Sequence, residues 1–306
     1  MTAAPSETEV VSYFQTLSNW GRWGTDDELG TLNLITPETR RAAVALVSEG
    51  VSIGCARPIV IEPPAPDVPR PPLHFMIASG ESPATTSSSD FLGLSPHGMT
   101  ISHVDALAHF FWQDKAYNDR PRTIVTTAEG ATACSVETMQ HGIVTRGVLL
   151  DIARLKDKPY LEAGEGIFPE DLEAAERAQG VRIDRGDALL LRTGWYRRRN
   201  ELGPYPIRGH RPGLHAATLP WLHERGVALV AADASHDAVP SGYEGIGLPV
   251  HSIGIVAMGL CLIDACQFDE LAAHCERLQR WKFLFVVAPI RFRFATASPV
   301  TPIAIL

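Results

Sequence analysis

Within the stretch HGMTISHVDALAHFF (residues 97–111), His97, His103, Asp105 and His109 stand in an otherwise apolar run. His103 and Asp105 are two apart, so on an extended segment both side chains point to the same side. Asp105 and His109 are four apart, so on a helix they share a face. A strand that turns into a helix near Asp105 therefore brings all three together, and His97 lies close enough to join through a loop. Imidazole nitrogens with a carboxylate suit a borderline divalent metal such as zinc, manganese or iron. The plain alternative is a set of satisfied polar residues in a core. It requires a separate partner for each buried group, which is demanding inside one apolar run.

Such a site needs ligands from elsewhere in the chain. Residues 234–266 offer His236, Asp237, Glu244, His251 and Asp264. His251 follows a Gly/Pro loop and opens a stretch with helical apolar spacing, so a rigid element would hold it. Asp264 sits in an apolar run, where an unpaired carboxylate is costly. Other chemistries find less support. There is no G-x-S-x-G elbow, no P-loop, and no G-x-G-x-x-G after a strand. Asp233, Ser235, His236 and Asp237 supply the letters of a triad, but adjacency in sequence is not triad geometry.

The elements that must position these groups alternate along the chain. GVLLDIA (147–153), DALLLRTGW (187–195), GVALVAADA (226–234) and KFLFVVAPIRF (282–292) read as buried strands. ITPETRRAAVALVSEG predicts a helix with Thr36 as N-cap, Pro37 at the first position and Gly50 as stop. FPEDLEAAERAQG (168–180), VHSIGIVAMG (250–259) and FDELAAHCERLQ (268–279) predict further helices. Continuous apolar strands interleaved with helices imply an α/β fold, a sheet covered on both faces. Six prolines between Ile61 and Phe75 predict an extended arm or lid, and the Gly/Trp-rich segment NWGRWGTDDELGTLN predicts a structured loop. No composition break divides the 306 residues, so a single domain is expected, with an N-terminal arm over about residues 1–35.

Composition narrows the partners. A net charge of -8 argues against nucleic acid, which selects for basic surfaces. The longest nearly uncharged apolar run, residues 253–263, is too short to span a bilayer. The first residues lack the basic and apolar regions of a secretory signal. Five cysteines without C-x-x-C spacing read as buried thiols in a reducing cytoplasm.

The chain resembles the cyclase family of metal-dependent hydrolases, which includes bacterial kynurenine formamidase and isatin hydrolase. SHVDALAH (102–109) matches the family's THxDxxxH-like core. WGRWGTDDELGTLNLITPE, YND at 117–119, RGVLLDIA, GDALLLRTGW, LPVH and TASPVTPIAI follow in the family's order over nearly the whole chain. The resemblance implies the swivelling β/β/α fold, a mixed sheet flanked by helices, assembled as a homodimer or homotetramer. It assigns His103, Asp105, His251 and Asp264 as metal ligands, with Asp105 bridging if two metals bind, and His109 as the proton shuttle. One or two zinc or manganese ions per chain are implied. Two positions depart from the pattern. Met99 stands where the family often has a ligand histidine, leaving His97 as its replacement, and Asp264 stands where Glu is usual. The implied chemistry is hydrolysis of an amide, lactam or lactone carbonyl of a small cyclic or aromatic molecule. The metal would lower the pKa of bound water towards ~7 to give hydroxide, with His109 as general acid and base. Trp23, Phe91, Phe110 and Trp112 are the candidate apolar wall for a planar substrate. A non-catalytic, metal-stabilised binding or scaffold member of the same fold is the alternative, motivated by Met99 and Asp264.

Overall fold

The computed structural model describes residues 4–60, 65–98, 100–206 and 208–306. Among these, nine strands form one mixed sheet: β1 (Ser52–Gly54), β2 (His103–Asp105), β3 (Ile143–Asp151), β4 (Ala188–Arg192), β5 (Leu229–Ala232), β6 (Cys261–Asp264), β7 (Lys282–Val287), β8 (Ala297–Pro299) and β9 (Ile303–Ile305). Their order across the sheet is β1-β9-β7-β3-β4-β5-β6-β2-β8. The central strands β3 to β6 run parallel, and antiparallel strands extend the sheet on either side.

The predicted strands are continuous in apolar residues because both faces of the sheet are covered. In β3, Val148 and Leu150 enter one core with Leu189, Leu191, Val230 and Leu262. Leu149, between them, enters the opposite core with Leu190, Leu229, Ala231 and Ile263. Each such fully buried side chain contributes about 1.5–3 kcal/mol relative to exposure. The helix Pro169–Gln179 begins at Pro169 and stops at left-handed Gly180, as its sequence predicts. The helix expected over 250–259 forms as a short α-helix, Pro249–Ile253, followed by a π-helical turn, Gly254–Met258, and the one expected over 268–279 runs Asp269–Leu278. The same mixed α/β architecture with flanking helices is the one the sequence implies.

Local departures have physical causes. The helix capped by Thr36 ends at Val44, short of Gly50, because the Glu49 and Gly50 amides turn to the Leu306 carbonyl at 3.1 and 2.8 Å. The N-terminal arm contains a helix, Glu7–Thr16, capped by Ser6 and anchored through fully buried Val10. Of the proline-rich segment, residues 61–64 lie outside the described set. The remainder is irregular until Leu73, where the hairpin Leu73–Ala78/Ser89–Gly93 begins. Among the described residues no helix is long and apolar enough to cross a membrane.

The Gly/Trp-rich segment is laced onto the turn that follows His251. Asn19 and Thr31 amides donate to the Ala257 and Gly259 carbonyls at 2.9 and 2.8 Å, and the Trp20 indole donates to Val256 at 2.7 Å. Gly30 has φ +58°, and a Cβ there would sit 2.1 Å from the Gly259 oxygen, so only glycine permits the approach.

Candidate metal centre

The site forms at the carboxyl ends of β5 and β6, beside β2, the edge where ligands gather in open α/β sheets. In β2, His103 and Asp105 face the site while Val104, fully buried, faces the core behind. β6 pairs antiparallel with β2 so that Asp264 lies opposite His103. After Asp105 the chain turns without forming the expected helix. Ala106 and Ala108 amides are taken by the Thr296 and Cys134 carbonyls at 2.9 and 3.1 Å, which leaves only a tight turn from Ala106 to the His109 amide. That turn still returns His109 to Asp105, with Nε2 3.9 Å from Oδ1.

Two groups of metal-ligating side chains stand out among the described residues: His97, His103 and Asp105, and His236, His251 and Asp264. In the first, Asp105 Oδ1 is 3.1 Å from His97 Nδ1 and 3.5 Å from His103 Nε2. In the second, Asp264 Oδ1 is 2.6 Å from His236 Nδ1, and Asp264 Oδ2 is 3.2 Å from His251 Nε2. Asp105 Oδ2 turns to the second group, 3.8 Å from His251 Nε2. His97 thus stands in the cluster; Met99, the position it is expected to replace, lies outside the described residues.

The outer nitrogens of three rings are already committed. His103 Nδ1 donates to the Ile101 carbonyl at 2.8 Å, and His236 Nε2 donates to Val230 at 3.0 Å. His251 Nδ1 donates to Asp237 Oδ2 at 2.5 Å. Each ring therefore aims its other nitrogen inwards, the arrangement that fixes tautomers around metals. Both Asp105 oxygens, His97 Nδ1, His236 Nδ1 and Asp264 Oδ1 are buried without an aligned hydrogen bond. Ligand atoms held ~2.0–2.2 Å from one ion stand roughly 3 Å from each other, so converging lone pairs at these separations fit a divalent cation.

The electrostatics ask for the same positive charge. Burial raises the Asp105 carboxyl, but His109, His97 and His103 outweigh it and leave it at about 2. Asp264 is held well below the carboxylate range, burial notwithstanding, by His236 and His251. His251 is raised well above its ordinary value: burial opposes the charge, and Asp264 and Asp237 prevail. A proton there occupies the position that a cation would. His109 differs, since burial lowers it to about 4 against the pull of Asp105. Its ring stacks on His97 at 3.6 Å between centroids.

Asp237, which the sequence offers as a possible ligand, instead supports one. Its carboxylate accepts from the Val250 and His251 amides at 2.6 and 3.2 Å, capping the helix Pro249–Ile253, and from the His251 ring. His236 is the centre residue that sequence reasoning offers but does not select. Its signal was position, four residues beyond the end of a buried parallel strand. Asp233 bonds Thr193 and Gly194 instead, with both amides at 2.8 Å, so no triad assembles there.

Of the four aromatic candidates only Phe110 borders the centre, 4.8 Å from the His109 ring and 5.2 Å from His251. Trp112 stacks on Phe14 of the N-terminal helix at 4.4 Å, because its chain position follows the turn away from the site. Trp23 lies beneath the Arg22 guanidinium and packs on the core behind the sheet. Phe91 is carried out on the hairpin, where it stacks on Phe75 at 5.0 Å. All five cysteines are buried and free, and burial pushes Cys55, Cys134 and Cys275 up to about 12, which removes thiolate chemistry at neutral pH.

A cavity of about 320 Å³ reaches His97 from the surface, lined by Asp67, Val68 and Arg70 of the proline-rich arm and by Ser95 and Thr100. The arm is tied down where Asp67 pairs with Arg199 at 2.5 Å. A larger groove of about 1030 Å³ among Asp151, Arg192 and Glu276 touches none of the histidines.

A family profile described as "Putative cyclase" matches residues 39–237. A crystal structure of a novel cyclase is 32% identical, with a TM-score of 0.85, covering 96% of this chain and 99% of that one. Isatin hydrolase A from Labrenzia aggregata, bound to benzyl benzoate, is 18% identical with a TM-score of 0.62, covering 86% of this chain and 94% of that one. A predicted metal-dependent hydrolase from Bacillus stearothermophilus is 16% identical with a TM-score of 0.53, covering 83% and 97%. The last two show a shared fold. No curated protein matches the sequence. With two thirds of its length inside the family profile and a relative of the same fold across almost all of it, the chain belongs to the cyclase family.

Proposed function

We propose that the protein is a metal-dependent hydrolase that opens a C–N or C–O bond of a small amide, lactam or lactone, with a cyclic or aromatic substrate. The observation that carries this reading is the convergence of buried, hydrogen-bond-orphaned nitrogen and oxygen atoms from His97, Asp105, His236 and Asp264, completed by His103 and His251. These six side chains would hold zinc or manganese, with Asp105 presenting one oxygen to each group of three. A divalent ion held there supplies Lewis acidity, which makes water more acidic and polarises a carbonyl.

The chain's own residues do the rest. His109 Nε2, next to the carboxylate yet outside both ligand groups, accepts a proton from the attacking water and returns it to the leaving nitrogen or oxygen. Asp237 keeps His251 Nε2 turned inwards. Phe110 provides an apolar wall beside both rings. The cavity at His97 has the size of a small-molecule site.

The test is hydrolysis of isatin, N-formylated aromatic amines and simple lactones, measured before chelation, after it, and after zinc or manganese is restored. Turnover lost on chelation and recovered with metal supports the reading. A protein that hydrolyses none of them but loses melting temperature on chelation is a metal-stabilised binding member instead.

A further inference from the structure

The proline-rich arm brings a cation to the cavity beside His97. Residues Ala65 to Val68 form a tight turn, closed by the Val68 amide on the Ala65 carbonyl at 2.8 Å. Arg199 pins that turn by donating to both Asp67 oxygens, at 2.5 and 3.3 Å. Just beyond it, Arg70 lies between Pro69 and the pair Pro71 and Pro72. Proline fixes its own φ, and a residue that precedes proline is held extended, so the Arg70 backbone has little freedom left to lose. Arg70 lines the cavity of about 320 Å³ with His97, Ser95 and Thr100, and its guanidinium makes no ion pair among the described residues. The Ser95 and Thr100 hydroxyls likewise make no hydrogen bond among the described residues.

Val68 and Thr100 also wall a second recess of about 180 Å³, to which Arg57, Tyr196 and Arg199 contribute. The two cavities together are bordered by three arginines and one aspartate, and Arg199 already neutralises that aspartate. Arg57 donates to the Cys266 and Asp233 carbonyls and lies over the Tyr196 ring at 4.8 Å, so its charge is held in place. A chain of net charge -8 therefore presents a locally positive lining beside His97, where an anion would be drawn in.

We infer that Arg70 selects a substrate that bears a carboxylate, which its guanidinium grips through two parallel hydrogen bonds while the Ser95 and Thr100 hydroxyls donate to the same group. The planar fork of arginine matches a carboxylate, and a backbone already held lowers the entropy cost of using it. Taken as a sphere, the cavity is roughly 8 Å across, enough for the acid and the reacting carbonyl to sit at opposite ends of one six-membered ring. The substrate class narrows to cyclic or aromatic amides, lactams and lactones that are also acids. That narrowing rests on the proposed hydrolase reading; the carboxylate site does not.

Paired probes test the site in the protein as purified: formanilide against 4-formamidobenzoate for turnover, and benzamide against benzoate for binding by calorimetry. The wild type is expected to favour 4-formamidobenzoate in kcat/KM and benzoate in affinity, each about ten- to a hundredfold. Arg70→Gln is expected to lose most of both preferences, the first through KM rather than kcat, and Arg70→Lys to keep part of them. Arg40→Gln, which removes an exposed charge from the helix Pro37–Val44, is expected to keep both. A wild type that favours neither acid overturns the inference without any variant. A folded Arg70→Gln protein with wild-type preferences overturns it and gives the carboxylate to the metal. Equal loss in Arg40→Gln overturns it in favour of overall charge. Where neither formamide is hydrolysed, the binding pair decides: a benzoate preference that depends on Arg70 keeps the site while the hydrolase reading fails. Hydrolysis with no preference for the acid fails the site alone.

Discussion

Asp237→Asn changes one atom's chemistry and almost no volume. In the wild type, Oδ1 accepts the Val250 amide at 2.6 Å, and Oδ2 accepts the His251 amide at 3.2 Å and ring Nδ1 at 2.5 Å. The carboxamide has one acceptor oxygen and one donor nitrogen. With the oxygen on Val250, the NH2 group faces two donors. The His251 amide loses its partner, and the imidazole must move its proton to Nε2. Nε2 then presents N–H to Asp264 Oδ2 at 3.2 Å and to Asp105 Oδ2 at 3.8 Å, where a lone pair is needed. The flipped carboxamide strands the Val250 amide instead. One unmatched buried donor costs about 1–3 kcal/mol of stability. Loss of the outer partner of a ligand histidine lowers metal affinity about 10–100-fold, or ~1.4–2.7 kcal/mol. Competition for zinc against a chromophoric chelator measures the second effect, and denaturant unfolding of the metal-free protein measures the first. A folded Asp237→Asn protein that binds metal as tightly as the wild type would refute the claim that Asp237 sets the His251 tautomer.

His109→Ala is expected to keep its metal and lose about 10²–10⁴-fold in turnover, read by steady-state kinetics beside elemental analysis; unchanged turnover removes His109 from the chemistry. Gly259→Ala is expected to destabilise the protein by at least about 2 kcal/mol, because φ is +63° and the new Cβ would lie 2.5 Å from the Tyr117 ring. A melting temperature within a degree or so of wild type contradicts that packing. The native protein is expected to resist iodoacetamide, since its cysteines are buried and Cys55, Cys134 and Cys275 are pushed up to about 12. Rapid labelling by mass spectrometry, with the fold intact, would show an open thiol site.

The sequence is most readable where one local period governs. His103 and Asp105 share a face because they are two apart on a strand, and β3 to β6 announce themselves as apolar runs between helices. The helix expected at Asp105 is absent because the amides of Ala106 and Ala108 are claimed by Thr296 and Cys134, partners remote in sequence. His236 was hidden for a similar reason. Only the pairing of β5 with β6 brings it against Asp264. The aromatic residues were least readable, since a ring next to the cluster in sequence need not face it. Phe110 turns to His251 while Trp112, two residues on, turns to Phe14. Ser6, followed by Glu9, was a readable helix start inside what looked like an arm.

Elemental analysis of the protein purified without added metal or chelator tests the central claim most directly. The account predicts at least one equivalent of zinc or manganese per chain, lost on dialysis against chelator and not regained by His103→Ala or His251→Ala. A folded wild-type protein that holds no divalent metal, even after metal is added back, contradicts it, and the buried histidines and aspartates would then be a polar core.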